Sequence, residues 1–212
     1  MSIAHNELVL HTNPMSRGRI VRWMLEEIGQ PYRTEVLGYG DAMKSPEFLA
    51  INPMGKVPAI QHGGVVVTEA AAICAYLADA FPQAGLAPAL TDPLRGTYYR
   101  WMFFAAGPLE AAVSANALGL LAPPDKAGMV GYGSFDRVVD TLEAAVSAAA
   151  PYLLGDRFSA ADVYVGSQVI WGVMFKSLPE RPAFTGYAAR LQAREAWQRA
   201  SACDDAAIPP KN

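Results

Sequence analysis

The chain has 212 residues, 52% of them hydrophobic and 17% charged, with a formal net charge of −3. That length holds one large domain or two small ones, and the balance is that of an ordinary soluble globular protein. The mild acidity argues against a nucleic-acid surface. No apolar run reaches transmembrane length, and residues 1–7 are too short and polar for a secretory leader.

In chain order, residues 7–12 read as a first strand, which Asn13-Pro14-Met15 breaks. Ser16 stands where a helix N-cap belongs, ahead of Ile20, Trp23, Met24 and Ile28 at helical spacing. Gly29 ends that helix, with Pro31 just beyond. Residues 33–37 read as a second strand. Ser45-Pro46 is a cap followed by proline at the first helical position, giving a short helix over 45–51. Pro58 heads a short apolar run; lacking an N–H, it belongs at an edge, a bulge or a turn. Gly63-Gly64 turns the chain into a strand containing Val65, Val66 and Val67. Glu69 sits where that strand stops and a helix over 70–80 begins. An acid there suits the helix dipole, and the open N–H groups can receive a ligand carboxylate.

Residues 83–90 are rich in Ala, Pro and Gly and read as a linker; beyond them only helical signals appear. Asp92-Pro93 starts a long helix that Gly107-Pro108 kinks. Residues 122–131 read as a loop or frayed start, and residues 134–149 as an amphipathic helix. Ser159-Ala160-Ala161-Asp162 reads as a capping box with Asp in the acid's place. Residues 182–192 and 195–200 read as two shorter helices, followed by a loose tail over 201–212. Cys74 and Cys203 are isolated and read as reduced thiols in a cytoplasmic protein. No CxxC and no His/Cys cluster suggests a metal, and His5, His11 and His62 are scattered.

The run Asn52-Pro53-x-Gly55-Lys56-Val57-Pro58, the Gly-Gly hairpin and Thr68-Glu69-Ala70-x-x-Ile73-x-x-Tyr76-Leu77 together closely resemble the glutathione-binding half of the glutathione transferase family. Phe158-Ser159-x-x-Asp162 is similar to a step in that family's helical domain, so the resemblance runs from Glu7 to about Ala200. The element order is α/β of thioredoxin-like type over 1–82, then the linker over 83–90, then an all-helical domain over 91–212. The resemblance implies that Val57–Pro58 is cis and that Val57 pairs its backbone with the cysteinyl part of glutathione. It implies that Glu69 and Ala70 hold the γ-glutamyl end, with Glu69 a buried acid needing a cationic partner. The family usually has Ser where Ala70 stands; the N–H survives that change and a hydroxyl contact is lost. Lys56, with Lys44 assisting, would reach the glycine carboxylate.

Glutathione attacks as a thiolate, and an unperturbed thiol has a pKa near about 8.5. A donor at a helix N-terminus favours the anion. The candidates between the first strand and first helix are Ser16, Asn13 and Thr12; no Tyr or Cys lies between His11 and Arg22. The Ser16-Arg17 turn resembles a bacterial and fungal branch of the family, which favours Ser16. The plainer alternative is that Ser16 only caps the helix, bonding the N–H of Gly18 or Arg19. Tyr98, Trp101, Phe104, Pro108 and Trp171 could wall an electrophile pocket, although an aromatic stripe at helical spacing is also what a core looks like.

The resemblance implies a cytoplasmic glutathione transferase of detoxification type. It would add the glutathione thiolate to a small hydrophobic electrophile, with glutathione as co-substrate and no prosthetic group or metal. The resemblance further implies a homodimer, with no nucleic-acid or membrane partner. Two alternatives stay open. One is a glutathione-dependent disulfide or peroxide reductase using Asn13 or Thr12 at the same turn. The other is a non-catalytic interaction protein on the same fold. Joint retention of Lys56, Glu69 and a donor at the first helix favours catalysis or at least glutathione binding.

Overall fold

In the computed structural model, which describes residues 7–208, β1 (Leu8–Thr12) has all five residues buried and is the strand around which the first unit forms. It pairs in parallel with β2 (Arg33–Val36) and antiparallel with β3 (Ala59–His62). β3 pairs antiparallel with β4 (Val65–Thr68), so the sheet order is β2-β1-β3-β4. Covered on both faces, β1 is apolar over Leu8, Val9 and Leu10 and also buries the polar His11 and Thr12, whereas the two edge strands carry exposed residues. α1 (Gly18–Ile28) packs against β1 and buries Ile20, Met24 and Ile28 among its apolar residues. It ends at Gly29, whose φ of 71° lets its N–H reach Leu25 O at 3.0 Å. A one-turn helix, α2 (Asp41–Lys44), precedes α3 (Pro46–Leu49). The sequence predicts only the second of these, with Ser45 accepting from the Phe48 N–H at 3.2 Å. α4 (Ala70–Ala80) follows β4 with the predicted bounds and packs against α1.

A second unit, Gly85–Ala193, is all-helical: α5 (Leu94–Phe104), α6 (Glu110–Ala117), α7 (Phe135–Ala148), α8 (Ala160–Met174) and α9 (Pro182–Gln192). The predicted kink at Gly107-Pro108 is a π-helical turn, Ala105–Leu109, which absorbs the N–H that Pro108 lacks. A 3₁₀ segment, Pro124–Met129, lies in the expected loop. α8 is buried around most of its circumference. Asp162 does far more than cap it. Its Oδ2 accepts from the Ser159 N–H (3.0 Å) and Oγ (3.1 Å); its Oδ1 accepts from the Leu153 N–H (2.8 Å) and the Tyr187 hydroxyl (2.8 Å). Complete burial pushes the Asp162 carboxyl up, and these four donors pull against that.

The C-terminal end departs from expectation. The sequence predicts a short helix over 195–200 and a loose tail, but α10 spans Glu195–Ala206 and groups with residues 7–84 rather than with the helical unit. Ion pairs to α1 fix it there. Arg22 Nε meets Asp204 Oδ1 at 2.8 Å with both side chains buried, and Arg194 grips Glu27 with two bonds of 2.7 and 2.8 Å. Arg199 reaches Glu26 at 3.1 Å, and Arg19 reaches Asp205 at 2.5 Å. Residues 209–212 of the predicted tail, and His5, lie outside the described residues. Among the described residues no helix is long and apolar enough to cross a membrane.

Candidate functional site

Strand register assembles the site. His11 lies opposite Ala59 on β3, and Ala59 lies opposite Thr68 on β4. One step further along, Thr12, Pro58 and Glu69 end three adjacent strands in a row. Neighbouring strands stand about 4.8 Å apart, so the row spans about 10 Å, the length of an extended tripeptide.

At the first position the chain turns tightly into α1. The Asn13 side chain is spent on this turn: Nδ2 donates to Leu37 O at 2.8 Å and Oδ1 accepts from the Met15 N–H at 2.9 Å. Ser16 Oγ accepts from the Gly18 N–H at 2.9 Å, the bond the plainer alternative expects, and donates to Asn13 O at 2.7 Å. The N-cap position of α1, however, is Arg17, one residue later, which makes no side-chain cap bond. Ser16 is half-buried and keeps one lone pair open. Thr12 is completely buried, and its Oγ1 has no hydrogen-bond partner among the described residues. Arg19 Nε donates to Pro14 O at 2.5 Å, bracing the turn from the helix side.

At the second position Val57–Pro58 is cis, and neither backbone group of Val57 bonds to another described residue. The loop before it is held by a residue to which sequence reading gave no separate role. Asn52 is buried; its Nδ2 donates to Lys56 O at 2.7 Å and its Oδ1 accepts from the Met54 N–H at 3.1 Å. The Asn-Pro-x-Gly spelling is the signal that could have revealed it, because Asn side chains bond their own turn. Gly55, at φ 57°, closes the loop where a Cβ would stand 2.7 Å from Met43 O. Lys44 Nζ donates to Met54 O (3.2 Å) and Gly55 O (3.1 Å), so it holds this loop, while Lys56 is exposed.

At the third position Glu69 corrects an expectation: it is exposed, not buried. Its side chain makes no cap bond, and its φ of 65° is a conformation that side chains other than glycine rarely adopt. Such strain costs about 1–3 kcal/mol and persists where the surroundings over-determine it. It leaves an uncommitted carboxylate beside the open first-turn N–H groups of α4. Ala70 is buried at the first of these.

The helical residues divide. Tyr98 is fully buried beneath Arg95, whose guanidinium carbon stands 5.2 Å from its ring centroid, and Trp101 is also buried. These two expected wall residues are therefore core. Phe104 meets Trp101 edge-on at 5.6 Å; Phe104, Pro108 and Trp171 keep part of their surface. Burial raises the Cys74 thiol far above its ordinary range, so it supplies no nucleophile. Burial lowers the His11 ring's pKa, against the 2.8 Å bond to Gln61, and Arg33 lowers it further. Among the described residues no cluster of His, Cys, Asp and Glu could hold a metal ion.

The fold is a thioredoxin-like α/β domain followed by an all-helical one, with an open peptide edge at the turn before β3. Residues 15–80 match the family model for the glutathione S-transferase N-terminal domain. Over 172 residues the chain is 28% identical to a glutathione S-transferase of Hyoscyamus muticus, covering 76% of this chain and 80% of that one. A solved glutathione transferase from Methylococcus capsulatus superposes with a TM-score of 0.77 at 28% identity, over 94% of this chain and 99% of that one. A theta class glutathione S-transferase of Xanthomonas axonopodis pv. citri, solved with glutathione bound, gives 0.71 at 28% identity, over 92% and 97%. Residues 15–80 thus carry a glutathione S-transferase N-terminal domain, and the chain as a whole is similar to glutathione S-transferases in sequence and fold.

Proposed function

We infer that the protein is a glutathione transferase that activates the glutathione thiol for attack on a small hydrophobic electrophile. The observation that carries this reading is the row of Thr12, Pro58 and Glu69, with an open backbone at its centre and an uncommitted carboxylate at one end. The Val57 N–H and C=O pair with the cysteinyl residue as a strand would. The Glu69 carboxylate takes the γ-glutamyl ammonium, and the Ala70 N–H takes the adjoining carboxylate at the head of α4. Lys56 takes the glycine carboxylate, and Lys44 keeps the loop that presents it in place.

This places the sulfur at the head of α1. There Ser16 turns its proton from Asn13 O to the sulfur, and the helix dipole favours the anion. The thiol proton leaves to solvent. The thiolate then forms a carbon–sulfur bond to the electrophile, whose leaving group departs with the bonding electron pair, or whose double bond takes up that pair. Phe104, Pro108 and Trp171 are the apolar surface proposed for the acceptor. A homodimer in the cytoplasm is the setting proposed for this activity.

Calorimetric titration with glutathione tests the reading. Wild type gives saturable binding, and Glu69→Ala weakens it at least about 10-fold, the loss of a charged hydrogen bond. Absence of binding by the wild type, or equal affinity in the variant, contradicts it.

A further inference from the structure

The hydroxyl of Thr12 is a donor without an acceptor in a place where that is expensive. Its Oγ1 is buried and unpartnered at the end of β1. Nearly all buried hydroxyls find a partner, and one that does not calls for an explanation. A second observation supplies a direction. A Cβ built on Gly18 would stand 1.8 Å from Thr12 Oγ1 and 3.0 Å from Ser16 Oγ, so the two hydroxyls face the same small volume at the head of α1. Hydroxyl bookkeeping completes the match. Ser16 Oγ donates once and accepts once, leaving one lone pair vacant, whereas the Thr12 proton is vacant.

We propose that Thr12 is a positioning residue: when the Ser16 side chain turns toward bound thiolate, its Oγ moves within reach of the Thr12 hydroxyl, which has no partner in the free protein, and accepts the Thr12 proton. This rests on the glutathione reading above. The new bond replaces what Ser16 loses at Asn13 O and polarises its O–H, strengthening the bond to sulfur by about 10–30%. Thr12 itself never touches the substrate. Gly18 is required because any side chain there would displace the Thr12 hydroxyl.

The test compares wild type, Thr12→Val and Thr12→Ser in three measurements: unfolding free energy without ligand, glutathione affinity, and the ultraviolet pH titration of the bound thiol. Thr12→Val is nearly isosteric and removes only an unpaired hydroxyl, so the free protein stays as stable or becomes more so. Its bound thiol pKa rises by about 0.3 unit or more, and Thr12→Ser restores the wild-type value. A Thr12→Val protein that binds glutathione with an unmoved thiol pKa overturns the proposal and leaves the glutathione reading standing. A wild type that binds no glutathione removes both.

Discussion

Replacing Ser16 with alanine separates the two duties assigned to one hydroxyl. In the free protein Oγ accepts from the Gly18 N–H at 2.9 Å and donates to Asn13 O at 2.7 Å. Loss of the bond to the Gly18 N–H lowers stability by about 1 kcal/mol. The effect on bound glutathione is a difference of two terms. A hydrogen bond to a charged group contributes about 1.5–3 kcal/mol, but Ser16 gives up the neutral bond to Asn13 O, about 1 kcal/mol, to form it. The remaining stabilisation of about 0.5–2 kcal/mol equals about 0.4–1.5 pH units at about 1.36 kcal/mol per unit. Ser16→Ala therefore raises the bound thiol pKa by about one unit, read from thiolate absorbance as the complex is titrated. Denaturant unfolding of the free variant reads the bond to Gly18 separately. A stability loss of the expected size with an unmoved thiol pKa would refute the donor role and leave Ser16 as a brace of the helix start alone.

Gly18→Ala drives a Cβ to within 1.8 Å of Thr12 Oγ1 and should cost about 1–3 kcal/mol in urea unfolding; Thr12→Ala in the same chain should recover most of it. A full loss persisting in the double variant contradicts the close packing. Asp204→Ala leaves the buried Arg22 charge without its carboxylate and should lower stability by about 3–5 kcal/mol; a change under about 1 kcal/mol would mean α10 is not held by this pair. His11 titrates near about 6.5 when unfolded, while burial keeps the folded ring neutral to lower pH. The unfolded chain then binds more protons below that pH, so the His11 contribution is full above it and is lost as pH falls through the folded value. His11→Asn should flatten the fall in unfolding free energy as pH drops below about 6.5; an unchanged slope assigns that fall to other groups.

Local chemistry explains which parts were legible in the sequence. Ser45-Pro46, the Gly63-Gly64 turn, the 70–80 helix and the Ser159–Asp162 box each announce themselves within a few residues, and each is present. α10 does not, because its buried face is only Ala196, Ala200 and Asp204. A charged residue reads as a solvated tail unless its partner is known, and Arg22 lies 182 residues away in the chain. Glu69 was misplaced for the opposite reason. The strand–helix junction suggests an acid buried until the γ-glutamyl ammonium pairs with it, whereas Glu69, at φ 65°, is exposed. The side-chain commitments of Asn13 and Lys44 depend on carbonyls of neighbouring loops, which no local pattern encodes. Tyr98 and Trp101 share helical spacing with residues that keep their surface, so the sequence could not divide core from wall.

Amide chemical shifts recorded by NMR as glutathione is added test the central claim most directly. The account predicts saturable shifts concentrated at Lys56, Val57, Ala70 and Ala71, with Ser16 and Gly18 moving at the same concentration. Shifts confined to other surfaces, or none at saturating glutathione, would contradict it.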